Sequence, residues 1–342
     1  MAKEARKKLV LLDSHAIIHR AYHALPDFSS SKGEPTGALY GLSTMLLRIV
    51  TDLKPDYIIA CYDLPQKTFR HEAYDAYKAG RAKADEALIS QIIESRRVFE
   101  AFGVPIYDAV GFEADDVLGT IVEISRSEKD LDIIIASGDM DTLQLVEGTR
   151  VSVFTLRKGI NDTVLYDEES VLERFGFKPK LLPDYKGLRG DPSDNIIGIK
   201  GIGEKTAQIL ISKIGTIENL YKKLKTEKGK KEIKELGLTD RVVNLLVEGE
   251  EEALFSKTLA TIRRDAPIAF TVPEKTFRQS IILANIEALF RELEFRSLVD
   301  RLRKVFAEQA AVQTTMFEEA NISSFAPKQL KELTIAVWLL TS

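Results

Sequence analysis

The chain has 342 residues, 44% hydrophobic and 29% charged, the composition of an ordinary globular protein with room for a large core. Its single cysteine, Cys61, excludes a disulfide framework and, with only four histidines, argues against a zinc finger. No apolar run reaches the roughly 18 residues of a membrane span, and the basic stretch from Lys3 to Lys8 leads into an apolar run too short for a signal peptide, so a cytoplasmic protein is expected. The formal net charge of −4, taken alone, argues against a nucleic-acid partner.

Three apolar runs, Leu9 to Leu12, Tyr57 to Tyr62 and Asp132 to Ala136, lack period-2 alternation and are rich in Ile, Val or Leu. Strands buried on both faces of a parallel sheet read this way. Between them, Gly37 to Leu53 carries Leu39, Leu42, Leu46, Ile49 and Val50 at helical spacing, and Leu88 to Phe102 and Ala114 to Ser125 behave likewise. The alternation predicts a doubly wound, mostly parallel α/β core over about residues 1–178. Beyond it the pattern changes to short helices around a glycine-rich turn, Gly198 to Gly203. Residues 195–235 hold ten Lys against five Glu, a local balance of +5. A helical subdomain over 179–303 is expected, closing with an amphipathic helix pair at 281–303. A linker follows at 304–328, and 329–342 reads as the stub of a further domain.

Each predicted strand ends in an acid: Asp13, Asp63 and Asp139. Ligands of open α/β sheets bind at the carboxyl ends of the strands, so three acids from distant positions are predicted to meet in one crevice. Glu113, Asp115 and Asp116 open a helix, Asp141 follows Asp139, and Asp191 and Asp194 flank a Pro-Ser turn. Taken singly, Asp115 or Asp116 reads as a helix cap, Asp13 as the cap of the helix after it, and Asp191 or Asp194 as a turn former. Together they would repel unless cations neutralised them. Hard carboxylate oxygens select Mg²⁺ or Mn²⁺, and a pair of such ions suits phosphodiester hydrolysis.

Asp13, Lys32-Gly-Glu-Pro-Thr-Gly-Ala-Leu-Tyr-Gly41, Phe69-Arg-His-Glu-Ala-Tyr74, Tyr77-Lys-Ala-Gly-Arg81, Glu113-Ala-Asp-Asp116, Gly190-Asp-Pro-Ser-Asp-Asn195 and Gly198-Ile-Lys-Gly-Ile-Gly-Glu-Lys-Thr-Ala207 occur in that order. They resemble the flap-endonuclease family of 5′ nucleases, to which the N-terminal domain of bacterial DNA polymerase I belongs. The resemblance runs over residues 7–303. It implies a PIN-like core with a helix-hairpin-helix at about 186–213, and a structure-specific 5′→3′ exonuclease and 5′-flap endonuclease acting in primer removal and repair. By the resemblance, Asp13, Asp63, Glu113 and Asp115 would hold one Mg²⁺. Asp139, Asp141 and Asp191 would hold the second, with Asp116 and Asp194 contributing directly or through water.

Residues 66–90 are polar, basic and aromatic-spotted, and on composition alone a solvated surface helix is the preferred reading. The resemblance makes this segment a helical arch passing the 5′ strand, with Lys78 and Arg81 facing the scissile phosphate and Tyr77 positioning a base. Arg20, His23 and Arg70 are further DNA-contact candidates. The turn with Gly198, Lys200, Gly201 and Gly203, followed by Lys205, would grip a duplex backbone without reading sequence. In the family such a hairpin also holds K⁺. His15, His19 and His23 stand four residues apart without a completing acid or cysteine, so a zinc site is not expected. Gln313 to Phe317, with Met316, resembles a peptide that docks on a sliding clamp.

The expected substrate is DNA with a 5′ flap, nick or 5′ end, RNA-primed ends included, cut by a nucleoid-associated monomer. Polymerase activity is not expected, because larger family members continue for several hundred residues. A PIN-type ribonuclease lacks the arch and hairpin, and a non-catalytic DNA-binding or clamp-tethering factor would have no use for the acids. Removing the nine ligand candidates turns the formal charge from −4 to +5, so the acidic balance no longer speaks against nucleic acid.

Overall fold

The structure, a computed structural model, describes residues 6–26, 29–81, 83–156 and 163–307. Six strands, β1 (Lys7–Asp13), β2 (Tyr57–Cys61), β3 (Ile106–Tyr107), β4 (Leu131–Ser137), β5 (Val151–Leu156) and β6 (Thr163–Tyr166), form one sheet in the order β3-β2-β1-β4-β5-β6. All pairings are parallel except β5 with β6. The three predicted strands are β1, β2 and β4, and they are the three central neighbours. Leu9 to Leu12 are fully buried because β1 is flanked on both edges and covered on both faces. Leu9 and Leu11 face one core and Val10 and Leu12 the other, as the pleat requires.

The helices of the first half are α1 (Ser14–Ala24), α2 (Gly37–Leu53), α3 (Phe69–Ala73), α4 (Glu86–Ala101), α5 (Ala114–Ile124) and α6 (Glu168–Phe175). Those of the second half are α7 (Leu182–Arg189), α8 (Glu204–Ile214), α9 (Ile217–Leu224), α10 (Glu227–Lys234), α11 (Asp240–Glu248), α12 (Glu250–Ala260), α13 (Phe277–Ser280), α14 (Leu283–Glu292) and α15 (Arg296–Val305). One core joins the α5 side of the sheet to α7–α11; the other joins α1, α2 and α4 to α14 and α15. The closing helix pair thus packs back on α2 and α4 rather than staying with the helical half. The helix also reaches into the expected linker, since α15 runs to Val305 and Phe306 is buried beside Phe277.

Segment 66–90 is not a continuous helix. It holds the five-residue α3, a run of turns through Gly80, and the start of α4, which Asp85 caps. Lys78 sits in the left-handed region, φ +57°, which interrupts the helix expected over this segment. Its N–H donates to the Asp194 carbonyl instead (2.9 Å). The clamp-like segment Gln313–Phe317 and the expected stub lie outside the described residues. No helix among the described residues is long and apolar enough to cross a membrane.

Candidate active site

β1 and β2 deliver Asp13 and Asp63 to the carboxyl edge of the sheet, and the turn after β4 delivers Asp139. Asp13 caps α1 through Oδ1, which accepts from the Ala16 N–H (3.1 Å), while Oδ2 accepts from the Ser137 hydroxyl at the end of β4 (2.6 Å). Asp63 Oδ1 accepts from the Ala114 N–H at the start of α5 (2.7 Å), and Asp139 Oδ1 from the Asp141 N–H (2.9 Å). The capping reading and the crevice reading are therefore both true of Asp13: the bond that starts the helix also aims the carboxylate.

Asp13, Asp63, Glu113, Asp115 and Asp139 line one cavity of about 420 Å³, together with His15, His19, Lys78 and Arg81. His19 and Asp139 also line an adjoining groove of about 880 Å³, which takes in Arg20, His23, Asp141, Lys186, Arg189 and Asp191. The crowding shows in the acids' proton affinities. Asp13 is pushed up to about 7, first by burial and then by Asp63 and Asp139, against the bonds from Ser137 and Ala16. Asp115 is held well above the usual carboxylate range by withdrawal from water, then by Asp13, Asp139, Asp141 and Asp63.

The chain's own cations offset part of this charge. Lys186 of α7 bridges Asp141 and Asp191. Burial opposes its charge, but the two carboxylates outweigh that and hold it protonated. Asp141 still rises to about 6 through burial, whereas Asp191, where Lys186 and the Ser193 hydroxyl and N–H outweigh burial, falls to about 2. Lys78 donates to Glu113 Oε1 (2.8 Å), and Arg81 pairs with Asp194. In this arrangement no group of three or more His, Cys, Asp or Glu among the described residues is closed enough to hold a metal ion.

Four expected roles are corrected. Asp116 is fully buried, facing neither cavity. Both its oxygens accept from Arg70 (2.7 and 2.9 Å), Oδ1 also from the Arg263 N–H and Oδ2 from the Glu113 N–H. Arg70, 3% exposed, is therefore closed to a DNA phosphate. Tyr77 is 4% exposed, with its hydroxyl donating to Glu113 and Asp194 (3.2 and 3.1 Å), so its ring is packed rather than offered to a base. Asp194, held by Tyr77 and Arg81, anchors the Lys78 turn and lines neither cavity.

The glycine turn behaves differently. Gly198 and Gly201 take φ of +63° and +96°. Ile199 and Ile202 anchor the turn inside, leaving Lys200, Gly201, Gly203 and Lys205 on the surface. Gly203 starts α8 without a side-chain cap, so the helix's first N–H groups remain available to an anion. Lys186 and Ser137 escaped the sequence reading. Lys186 is five residues before Asp191, a cation near an acid that only the turn of α7 brings together, and Ser137 carries no sequence signal of its own.

Two models of one family match consecutive parts of the chain: "5′-3′ exonuclease, N-terminal resolvase-like domain" over residues 8–176 and "5′-3′ exonuclease, C-terminal SAM fold" over 177–281. DNA polymerase I of Bacillus caldotenax is 38% identical over 305 residues, covering 89% of this chain, and that of Bacillus subtilis is 37% identical over 320, covering 93%. The chain spans about a third of the length of these relatives, 33% and 34%. Among solved structures, the T5 5′-exonuclease with zinc bound has a TM-score of 0.59 at 20% identity, covering 89% of this chain and 99% of that one. That likeness extends to the fold: a PIN-like α/β core carrying a helical C-terminal part. Matched by both domains in order and by its polymerase relatives, the chain belongs to the 5′-3′ exonuclease family.

Proposed function

We propose that the chain is a structure-specific 5′→3′ exonuclease and 5′-flap endonuclease that hydrolyses DNA phosphodiesters with divalent cations, Mg²⁺ foremost and Mn²⁺ as a substitute. One observation carries the reading: five acids from four separate chain segments line a single cavity capped by Lys78 and Arg81. The donor set fits a hard divalent ion, because it is made of carboxylate oxygens whose burial, and then mutual repulsion, already lifts Asp13 and Asp115. Asp13, Asp63, Glu113, Asp115 and Asp139, with Asp141 and Asp191 after release from Lys186, would hold the metal. Bound divalent ions supply an attacking water of lowered pKa and a counter-charge for the leaving oxygen.

The protein's own groups do the rest. Lys78 and Arg81, both held charged by their acidic neighbours against the pull of burial, present positive charge where a phosphate develops negative charge. Arg20 and His23 line the wider groove along which a strand enters. The turn carrying Gly198, Lys200, Gly201, Gly203 and Lys205 grips the duplex backbone, and its carbonyls are proposed ligands of K⁺. Support for a DNA substrate includes a solved T5 D15 flap endonuclease with DNA and metal ions, TM-score 0.58 at 20% identity. Primer and flap removal in replication and repair is the role consistent with such a substrate.

A 5′-labelled flap on a nicked duplex tests the reading. Cleavage near the junction in Mg²⁺, abolished by EDTA, is expected; cleavage indifferent to EDTA overturns it.

A further inference from the structure

Arg70 is spent entirely inside the protein. Its guanidinium makes two parallel bonds to Asp116 (2.7 and 2.9 Å), a longer one to Glu113 Oε2 (3.4 Å), and two to backbone carbonyls beyond α12's last turn or within it, Leu259 (2.8 Å, from Nε) and Thr261 (2.8 Å). Asp116 has no acceptor capacity left over: each oxygen takes one Arg70 bond and one backbone N–H, from Arg263 or from Glu113. The Glu113 N–H is therefore held by Asp116, and the Glu113 carboxylate in turn receives Lys78 (2.8 Å) and Tyr77 (3.2 Å). Three distant segments, α3, the start of α5 and the stretch after α12, meet at one buried ion pair.

The other end of this connection reaches the glycine turn. Ser256 of α12, buried, accepts from the Gly198 N–H through its hydroxyl (3.0 Å). α12 also packs along α7, which carries Lys186. A single eleven-residue helix thus touches the duplex-gripping turn with its middle and anchors Arg70 with its C-terminal end.

We propose that Arg70 and Asp116 are a positioning pair, neither DNA contact nor metal ligand, that fixes Glu113, and through it Lys78, at a set distance from the turn carried against α12. The proposal rests on the nuclease reading above. A bidentate guanidinium–carboxylate pair is suited to the task because its planar fork fixes orientation as well as separation. Lysine in place of Arg70 keeps the charge but loses the fork.

The test uses the full chain with Arg70→Gln, Arg70→Lys, Asp116→Asn and the charge-balanced double variant Arg70→Gln/Asp116→Asn. Flap affinity is read by fluorescence anisotropy in EDTA, and single-turnover cleavage is read in Mg²⁺. Affinity is expected to stay within about twofold while cleavage slows about 100-fold, the scale on which a displaced catalytic group acts. Arg70→Lys is expected to recover part of the rate. Adding Arg70→Gln to Lys78→Ala is expected to cost little more, because both act through one group. An affinity loss with a shallower salt dependence marks a phosphate contact and overturns the proposal, as does full additivity with Lys78→Ala. Should Arg70→Gln fail to fold, the double variant, which strands no buried charge, carries the same expectations. No cleavage by the unsubstituted chain overturns the nuclease reading itself. Cleavage by it, with variant rates unchanged, overturns the positioning pair alone.

Discussion

Gly190 and Gly198 pack backbone against backbone: a Cβ on Gly198 would land on the Gly190 main chain, and one on Gly190 would land on the Ile196 and Ile197 carbonyls. The contact closes the loop whose ends are further tied by Asp191 and Ile196, exchanging N–H···O bonds of 2.7 and 2.8 Å. Since Asp191 faces the groove and Gly198 begins the turn proposed to grip duplex, this contact fixes one to the other. Gly198→Ala suffers twice, from the clash and from a φ of +63° that alanine resists. We expect a stability loss of about 2 kcal/mol or more, with weakened duplex binding and slowed cleavage together. Urea denaturation and duplex titration check this; a Gly198→Ala chain of full stability and affinity would contradict the close packing.

Proton affinity in the crevice fixes a pH dependence. Asp13, raised from 3.8 to about 7, binds its proton more tightly folded than unfolded, so its ionisation costs stability that grows with pH and is fully felt above about 7. Asp141, raised to about 6, acts in the same direction. Asp191, lowered to about 2, contributes stability above the unfolded value and is flat across this window. The melting temperature in EDTA is therefore expected to fall between about pH 4 and pH 7 and to level off above that. Mg²⁺ should raise it most at the alkaline end, and Asp13→Asn should flatten the slope. Thermal melts across that range, with and without Mg²⁺, decide the matter.

Lys186 bridges the two acids proposed to hold a metal cation. With Lys186→Met, Asp141 and Asp191 lose their shared counter-charge, and the chain in EDTA is expected to melt several degrees lower, in keeping with a loss of about 1–3 kcal/mol. Mg²⁺ should restore more of that loss than it adds to the unsubstituted chain. Equal Mg²⁺ responses in the two chains would show that lysine and metal do not share these acids.

Lys78→Ala removes a positive charge from the cavity wall and leaves the glycine turn untouched. Single-turnover flap cleavage is expected to fall about 10²- to 10³-fold, while affinity in EDTA changes little. Loss of affinity in proportion to rate would instead make Lys78 a binding group.

The readability of this chain follows burial. β1, β2 and β4 declare themselves because both faces of each are covered, which demands unbroken apolar runs. Ile106–Tyr107 is too short and half-exposed to register, and β6, on the outer edge, carries a mixed pattern. Of the acids that line the cavity, Asp13, Asp63 and Asp139 stand at strand ends, where topology makes convergence foreseeable, while Glu113 and Asp115 open α5. Asp116 differs in its partner: nothing local announces that Arg70, 46 residues earlier, will claim both its oxygens. The same long-range bond hides Arg70 from DNA. The segment around Tyr77 misleads for a related reason: its composition suits a surface helix, but two acids from elsewhere hold the Tyr77 hydroxyl inside, and Lys78 beside it is left-handed.

β1 leaves the ribosome first and ends in the middle of the sheet. Until β4 has been made, Leu9 to Leu12 have a neighbour on one edge only, and Asp13 waits for a hydroxyl 124 residues downstream. Asp139, just after β4, is the last of the five cavity acids in chain order, so the later strand completes the charged set that β1 and β2 begin.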